Sequence, residues 1–345
     1  MPGERLTNFG GNLTIEPQAV FTPGSEEEVL QILRDERGKR IRAIGRLHSW
    51  SSAPLAEEVL LDLRKLKSLE VTSDKQGPLA RIGAGCQIKD VLRELDRHGL
   101  TLPTIGLISE QTIAGAAATG THGSGRASIS HYIAAVRLAC YDPAMAEPVV
   151  REVRSGPELQ AARCSLGLMG IVLSVEVRPR PQYRIEEWFA LHNSLEEVLA
   201  AEAEAPLQQF YLIPWQGKYM GQHRRETEQP RSWLAWLYRF YWFLTIDVGL
   251  HLAMLLLVRV LGSRWAIKTF FRTVINLTVI RGWHVVDRSP AMLIMEHELF
   301  HHIEIELFIK QSRLAEAMDF VQEAIQCFDG DSAAFPPHWR QRLEA

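Results

Sequence analysis

One histidine sits in a short polar turn that directly follows an apolar run: Gly45-Arg46-Leu47-His48-Ser49-Trp50 comes after Ile41-Arg42-Ala43-Ile44. A second glycine-rich run, Thr119-Gly120-Thr121-His122-Gly123-Ser124-Gly125, lies further along the chain. Backbone N–H groups in such turns converge on a common concavity and bind phosphate oxygens, and glycine lets a ligand approach the chain closely. The stretch from Gly115 to Thr121 contains only small residues, as a chain needs to run flat along an extended ligand. Together the two runs read as the cradle of one large phosphate-bearing cofactor, with His48 inside it.

Two other motifs carry chemistry on paper. His297-Glu298-Leu299-Phe300-His301 matches HExxH, which on a helix puts two imidazoles on one face with a glutamate as general base for zinc hydrolysis. The segment runs straight into the alternating Ile303–Ile309, read as a strand, so a helix would have to end abruptly. Surface and strand-end histidines are the simpler reading, no metal is expected, and zinc hydrolysis stays as an alternative. Gly83-Ala84-Gly85 between a strand and a helix tempts towards a dinucleotide fingerprint. The third glycine position is Ile88, and no βαβ unit surrounds it, so a tight strand–helix turn is expected.

The elements that must position these groups are legible from pattern. Ser25 and Glu28 have capping-box spacing ahead of a helix with Val29, Ile32 and Leu33 on one stripe, ended by Gly38. Strands are expected at Ile41–Ile44, Val59–Leu63, Leu79–Ile82, Ala135–Ala139, Val149–Val153 and Ile171–Val177, the last stopped by Pro179 and Pro181. Ile88, Val91, Leu92 and Leu95 mark a helix closed by Gly99. This is a mixed α+β domain ending near residue 180. Beyond it a short helix begins near Ser194, Gln222 to Arg231 reads as a polar loop, and Arg313 to Gln326 as an amphipathic helix. Trp233 to Leu261 is dense in Trp, Tyr, Phe and Leu but carries Arg239, Asp247, His251 and Arg259. Each charge costs roughly 2.5–3.5 kcal/mol at a bilayer centre, which counts against a spanning helix. A buried cap-domain helix and an interfacial membrane helix stay open beside it.

At 345 residues the chain is long enough for two domains, and 46% apolar with 23% charged residues is ordinary for a globular protein. A net charge of −3 gives no electrostatic reason to bind nucleic acid. The four cysteines (Cys86, Cys140, Cys164 and Cys327) are scattered, which suits a reducing compartment. The N-terminus lacks an apolar signal region, so a cytoplasmic protein is expected, with peripheral membrane contact through residues 233–261.

Several linked motifs stand in an order that resembles the flavin-binding domain of the vanillyl-alcohol-oxidase superfamily, in its aldonolactone oxidase and alditol oxidase branch. They are Asn8-Phe9-Gly10-Gly11-Asn12, Arg42 to Ser49, Ile108-Ser109-Glu110-Gln111-Thr112-Ile113-Ala114-Gly115, Thr121 to Gly125, and Gly167 to Val172. The resemblance implies a PCMH-type two-subdomain FAD-binding domain over residues 8–181. An α+β substrate or cap domain over 182–332, incomplete at its C-terminal end, and a tail over 333–345 would come after it. It places FAD pyrophosphate on Gly45, Arg46, Leu47, His48, Ser49 and Trp50. Further backbone contacts would come from Ser109, Thr112, Gly115, Thr119, Gly120, Thr121, His122 and Gly123, with Ile171 and Val172 by the adenine. His48 sits where many members attach the flavin covalently. Gly106 falls where the family has a small residue near the flavin's oxygen-reactive edge, which leans towards an oxidase.

Glu304-Ile305-Glu306-Leu307-Phe308-Ile309 resembles the family's Glu-x-Glu-Tyr strand over the substrate side of the flavin. The resemblance makes Glu306, Glu304 and Ser109 the candidate catalytic residues. The implied substrate is a sugar lactone or polyol, its hydride passing to flavin and then to O2 or another acceptor. Leu307 and Lys310 replace the family's tyrosine and proline. A His-Trp-x-Lys motif expected further on has no counterpart, since Pro337-His338-Trp339-Arg340-Gln341 comes too early and carries glutamine at the lysine position. A flavin-binding but catalytically impaired protein is therefore the second reading.

Overall fold

A computed structural model describes residues 5–294, 304–327 and 337–338. The chain divides into two compact units: residues 1–183 with the stretch that begins at Arg288, and Arg184–Asp287 with the chain from Ile305 onward.

The first unit holds two main sheets beside two short two-stranded ones. Ala19–Phe21, Val59–Asp62 and Ile41–Ile44 form a parallel three-stranded sheet with Val59–Asp62 in the middle, all four of its residues buried. The apolar run Val59-Leu60-Leu61 is what a central parallel strand requires, because both faces are covered. Helix Glu26–Asp35 buries Val29 and Leu33 in the same core, and Ser25 caps it by accepting from the Glu28 amide at 3.2 Å. The second sheet is antiparallel, in the order Pro148–Val153, Ile133–Tyr141, Ile171–Val177, Gly77–Gly83 and Leu69–Asp74. Helix Ile88–Arg97 turns Ile88, Val91, Leu92 and Leu95 inward, as its spacing predicts. After the second unit the chain returns to the first, where the Ser289 amide donates to the Tyr183 carbonyl at 3.0 Å and Arg288 pairs with Asp96 at 3.1 Å.

The second unit is built on a four-stranded sheet ordered Gln209–Ile213, Lys218–Thr227, Arg184–His192 and Val285–Arg288. This corrects the polar loop expected at Gln222 to Arg231. Gln222 to Thr227 is the C-terminal half of a strand, in register with Arg184–Phe189, and Gln222, His223 and Arg224 are buried. Polar residues stay inside there because partners on the neighbouring strand and the covering helix satisfy them. The long apolar segment is a continuous helix from Ala235 to Val260, widened to π-type turns over Phe243–Leu250 and Leu255–Val260. A second helix, Arg264–Thr278, comes after a short turn. The buried-helix reading of this segment does not hold, since only 11% of its most apolar 18-residue stretch is buried. It is the one helix among the described residues long and apolar enough to cross a membrane.

The strand expected at Ile303–Ile309 is also absent over its described residues, Glu304–Ile309. Glu304 to Lys310 has no regular structure and is exposed throughout. Alternation alone predicts a strand only where a neighbouring strand accepts it, and none pairs with this stretch among the described residues. The HExxH segment and Trp339 to Gln341 lie outside the described residues.

Candidate functional site: a flavin cradle

The first loop leaves the C-terminal end of the parallel strand Ile41–Ile44, and its shape is fixed from two sides. The N-terminal segment holds it from one: Asn8 Nδ2 donates to the Ser49 carbonyl at 2.9 Å, Asn12 Nδ2 to the Trp50 carbonyl at 3.1 Å, and the Phe9 amide to the Leu47 carbonyl at 2.9 Å. The Phe9 ring stacks at a tilt on His48, with centroids 4.8 Å apart. Leu47 is turned into the left-handed region, φ 56°, which reverses the chain and gathers its neighbours' amides.

From the other side comes the segment after Ile108. The Lys89 and Ile88 amides donate to the carbonyls of Ser109 and Gln111, laying that stretch across the start of helix Ile88–Arg97. Thr112 then caps the small-residue helix Ile113–Ala118 by accepting from the Gly115 amide at 3.3 Å. Gly45 lies directly against Thr112: a Cβ added to Gly45 would stand 2.3 Å from Thr112 Oγ1 and 2.9 Å from its methyl. The first loop and the run that leads to the second are therefore in contact.

The two runs differ in what they offer. Among the described residues, no group accepts from the amides of Arg46, Leu47, His48 or Ser49. In the second run the amides of Thr119, Gly120 and Thr121 donate to the carbonyls of Gly115, Ala117 and Ala116, and the Gly123 amide donates to Thr104 Oγ1. The first loop thus presents the open donors, while the second contributes a flat wall of small residues. Ile171 packs in the core between helix and sheet, and Val172 pairs with Leu138. Gly106 has a packing reason of its own: an added Cβ would meet the Thr121 methyl at 2.9 Å.

His48 is half-buried, and its Nδ1 is fully shielded with no partner among the described residues. Burial pushes the imidazole below its ordinary value, the Glu110 carboxylate pulls the other way, and Arg46 adds a smaller downward push. A neutral ring keeps a lone pair on one nitrogen. An orphaned buried ring nitrogen beside four open amides fits a cofactor with a diphosphate at one point and an electrophilic or hydrogen-bonding group at another, as FAD has. Ser109 is buried, with its Oγ 3.4 Å from Glu110 Oε2. Glu304 and Glu306, expected over the substrate, lie in the irregular exposed stretch. Among the described residues no group of three His, Cys, Asp or Glu could hold a metal.

The sequence reading missed a second polar constellation, on the sheet of the second unit. On one face Glu187 accepts from Arg224 Nε at 2.5 Å, Gln222 Nε2 at 2.9 Å and Tyr238 Oη at 2.6 Å, all four residues being buried. On the other face Trp188 stacks between His223 and His284, and His192 Nε2 stands 2.9 Å from His223 Nε2. Glu186 holds His284 and Arg225, each at 2.8 Å. The only signal in the sequence is the charge-matched pair of runs Arg184–Glu187 and Arg224–Thr227, visible once the antiparallel register is known.

Burial, then the neighbouring His192, push His223 down from 6.5 to about 4. The unfolded chain takes up this proton at higher pH than the folded one. Its contribution to stability is therefore full above pH 6.5, declines as pH falls towards 4, and is lost below that. The loss should reach up to about 3 kcal/mol. Urea midpoints read by tryptophan emission across that window check this, and His223→Gln should flatten the profile; an unchanged slope in the variant rules the histidine out.

The family described as FAD binding domain matches residues 17–142. The chain is 52% identical over 342 residues to a long-chain alcohol oxidase of an uncultured marine euryarchaeote, covering 99% of this chain and 71% of that one. It is 29% identical over 203 residues to the L-gulonolactone oxidase of Bos taurus, covering 57% of this chain and 45% of that one. Among solved structures it resembles the cholesterol oxidase of B. sterolicum, with TM-score 0.66 and 14% identity over 86% of this chain and 62% of that one, a likeness of fold. The chain thus spans less than two thirds of the gulonolactone oxidase and of the solved oxidase. A parallel three-stranded sheet feeding an amide-rich loop, a second antiparallel sheet, the FAD-domain match and a relative 52% identical over 99% of this chain agree: the chain belongs to the vanillyl-alcohol-oxidase superfamily of PCMH-type FAD-binding oxidoreductases.

Proposed function

We propose that the protein oxidises the CH–OH group of an alcohol, with FAD as the first acceptor of the hydride and O2 or another acceptor taking the electrons onward. The observation that carries this reading is the pairing of four open amides in the first loop with the buried, unpartnered Nδ1 of His48. Bound FAD would supply the hydride-accepting ring; the protein supplies binding and orientation. The amides of Arg46 to Ser49 hold the diphosphate, and Thr112 and Gly45 keep the loop pressed onto the small-residue helix. The neutral His48 ring is the candidate tether, and Phe9 fixes its plane. Ser109 and the carboxylates of Glu306 and Glu304 are the candidate hydroxyl-binding groups, a carboxylate being suited to accept a hydroxyl's hydrogen bond.

Two substrate readings rest on different observations. A long-chain primary alcohol is supported by the relative that is 52% identical. A sugar lactone or polyol is supported by the gulonolactone oxidase at 29% and by the Glu304–Glu306 pattern. Leu307 and Lys310, in place of tyrosine and proline, favour the alcohol. Anaerobic addition of dodecanol should bleach the flavin absorbance, while gulonolactone and xylitol should not. Bleaching by a lactone or polyol alone sinks the long-chain reading, and bleaching by none of them sinks the activity. Acid precipitation should leave the protein pellet yellow and His48→Ala pellets white; a parent protein that releases all its flavin into the acid supernatant excludes the tether.

A further inference from the structure

The helix Ala235–Val260 is amphipathic the wrong way round for a soluble protein. Two of its charged groups turn inward: Asp247 is buried, and Arg239 pairs with the buried Asp287. Its large apolar groups turn outward, with Trp236, Phe240, Leu252, Leu256 and Val260 each at least half exposed. The helix after it continues the surface with Trp265 and Leu277, which are 76% and 84% exposed. Exposed apolar area on this scale marks an interaction site.

Charge says what kind. From Val248 to Val286 the chain has no Asp or Glu and five basic residues: Arg259, Arg264, Lys268, Arg272 and Arg281. Four of them (Arg259, Arg264, Arg272 and Arg281) are exposed, and no described carboxylate pairs with those four. An apolar surface rimmed by unneutralised cations, with tryptophans near the helix starts, complements an anionic lipid headgroup layer over its acyl boundary.

Topology decides between lying in the membrane and crossing it. The segment leaves and re-enters at one place: the Ser232 amide donates to the Val286 carbonyl at 2.8 Å, and the Val286 amide to Ser232 Oγ at 3.0 Å. Further up, Tyr241 Oη donates to the Thr278 carbonyl, and Gln216 Nε2 to the Phe271 carbonyl at 2.6 Å. A chain that starts and ends on the same sheet must cross an even number of times. The outgoing helix has 26 residues, about 39 Å, but the return helix has 15, about 22 Å, against a hydrocarbon core of about 30 Å. The return helix is too short to cross.

We propose that the hairpin Ala235–Thr278 seats this protein in one leaflet of an anionic bilayer without crossing it. This stands independently of the substrate reading. The full-length flavoprotein should co-sediment with vesicles of phosphatidylcholine mixed with phosphatidylglycerol at least about tenfold more tightly than with phosphatidylcholine alone, as cations near the surface each add attraction. Arg264→Glu with Arg272→Glu should remove that preference. Leu252→Glu with Leu256→Glu should remove binding to both vesicles while the flavin spectrum, which reports the fold of the first unit, is kept. Bromine on the acyl chains should quench tryptophan emission in the parent. Equal recovery in the supernatant with every vesicle overturns the proposal, as does a soluble dimer that hides the apolar face and ignores lipid. Cleavage at a protease site placed at Gly262 by protease trapped inside the vesicles would show a crossing, and would overturn it too.

Discussion

Gly45→Ala is expected to strip the protein of flavin. The added methyl has no room: its carbon would stand 2.3 Å from Thr112 Oγ1 and 2.9 Å from the Thr112 methyl, and both belong to a helix cap rather than a free side chain. Either the first loop lifts away, or Thr112 rotates and gives up its bond to the Gly115 amide. Overpacking of this kind costs roughly 1–3 kcal/mol, so flavin affinity should fall by about ten- to a hundredfold. Thr112→Ala removes both clashing atoms at the cost of about 1 kcal/mol of capping. Gly45→Ala with Thr112→Ala should accordingly bind flavin better than Gly45→Ala alone, a coupling that additive effects do not give. Equilibrium dialysis against FAD reads all four proteins in the His48→Ala background, where no tether can form. A Gly45→Ala protein that holds flavin as well as its parent would falsify the contact between the loops.

The second large effect belongs to the other unit. Glu187→Ala should destabilise it by about 3–5 kcal/mol, because Arg224 is left buried and charged with no counter-ion, and Tyr238 and Gln222 lose their acceptor. Removing both charges together is a different matter. Glu187→Met with Arg224→Met fills similar volume without burying any charge, and should recover most of the loss. Guanidinium titrations followed by near-ultraviolet circular dichroism, where Tyr238 and Trp242 report, make the comparison. A double variant as weak as Glu187→Ala would mean that the ion pair does more than balance its own charges.

How much of the fold is readable from sequence depends on whether the signal is local. The strands Ile41–Ile44 and Ile171–Val177, the Ser25 cap and the helix Ile88–Arg97 rest on residues within one or two turns of each other, and the structure has them where the pattern puts them. The flavin cradle is legible for the same reason: Gly45 to Ser49 and Thr119 to Gly123 are contiguous runs. Hidden from the sequence is the division of labour between them. Whether an amide is open depends on acceptors far along the chain, such as Thr104 for Gly123.

Gln222 to Thr227 resembles a loop because its residues are polar, yet their partners, Arg184 to Phe189, lie more than thirty positions away and only the register matches them. The opposite error arises at Ile303–Ile309, where alternation is present and no described strand stands beside it. The apolar helix is visible as composition, but not the direction it faces. Its inward Asp247 and outward Leu256 can be told apart only in three dimensions.

The return of the chain from the second unit to the first sets an order of assembly. Arg288 and the fully buried Ser289 complete the first unit by docking on Asp96 and Tyr183. During synthesis more than a hundred residues separate Tyr183 from Ser289, and the Arg184–Asp287 part of the second unit emerges in between. Domains generally fold as they leave the ribosome, the earlier ones first. Here the earlier one must wait for its last piece while the apolar hairpin is already outside. A lipid surface met at that moment would act on a nascent chain whose flavin domain is still unfinished.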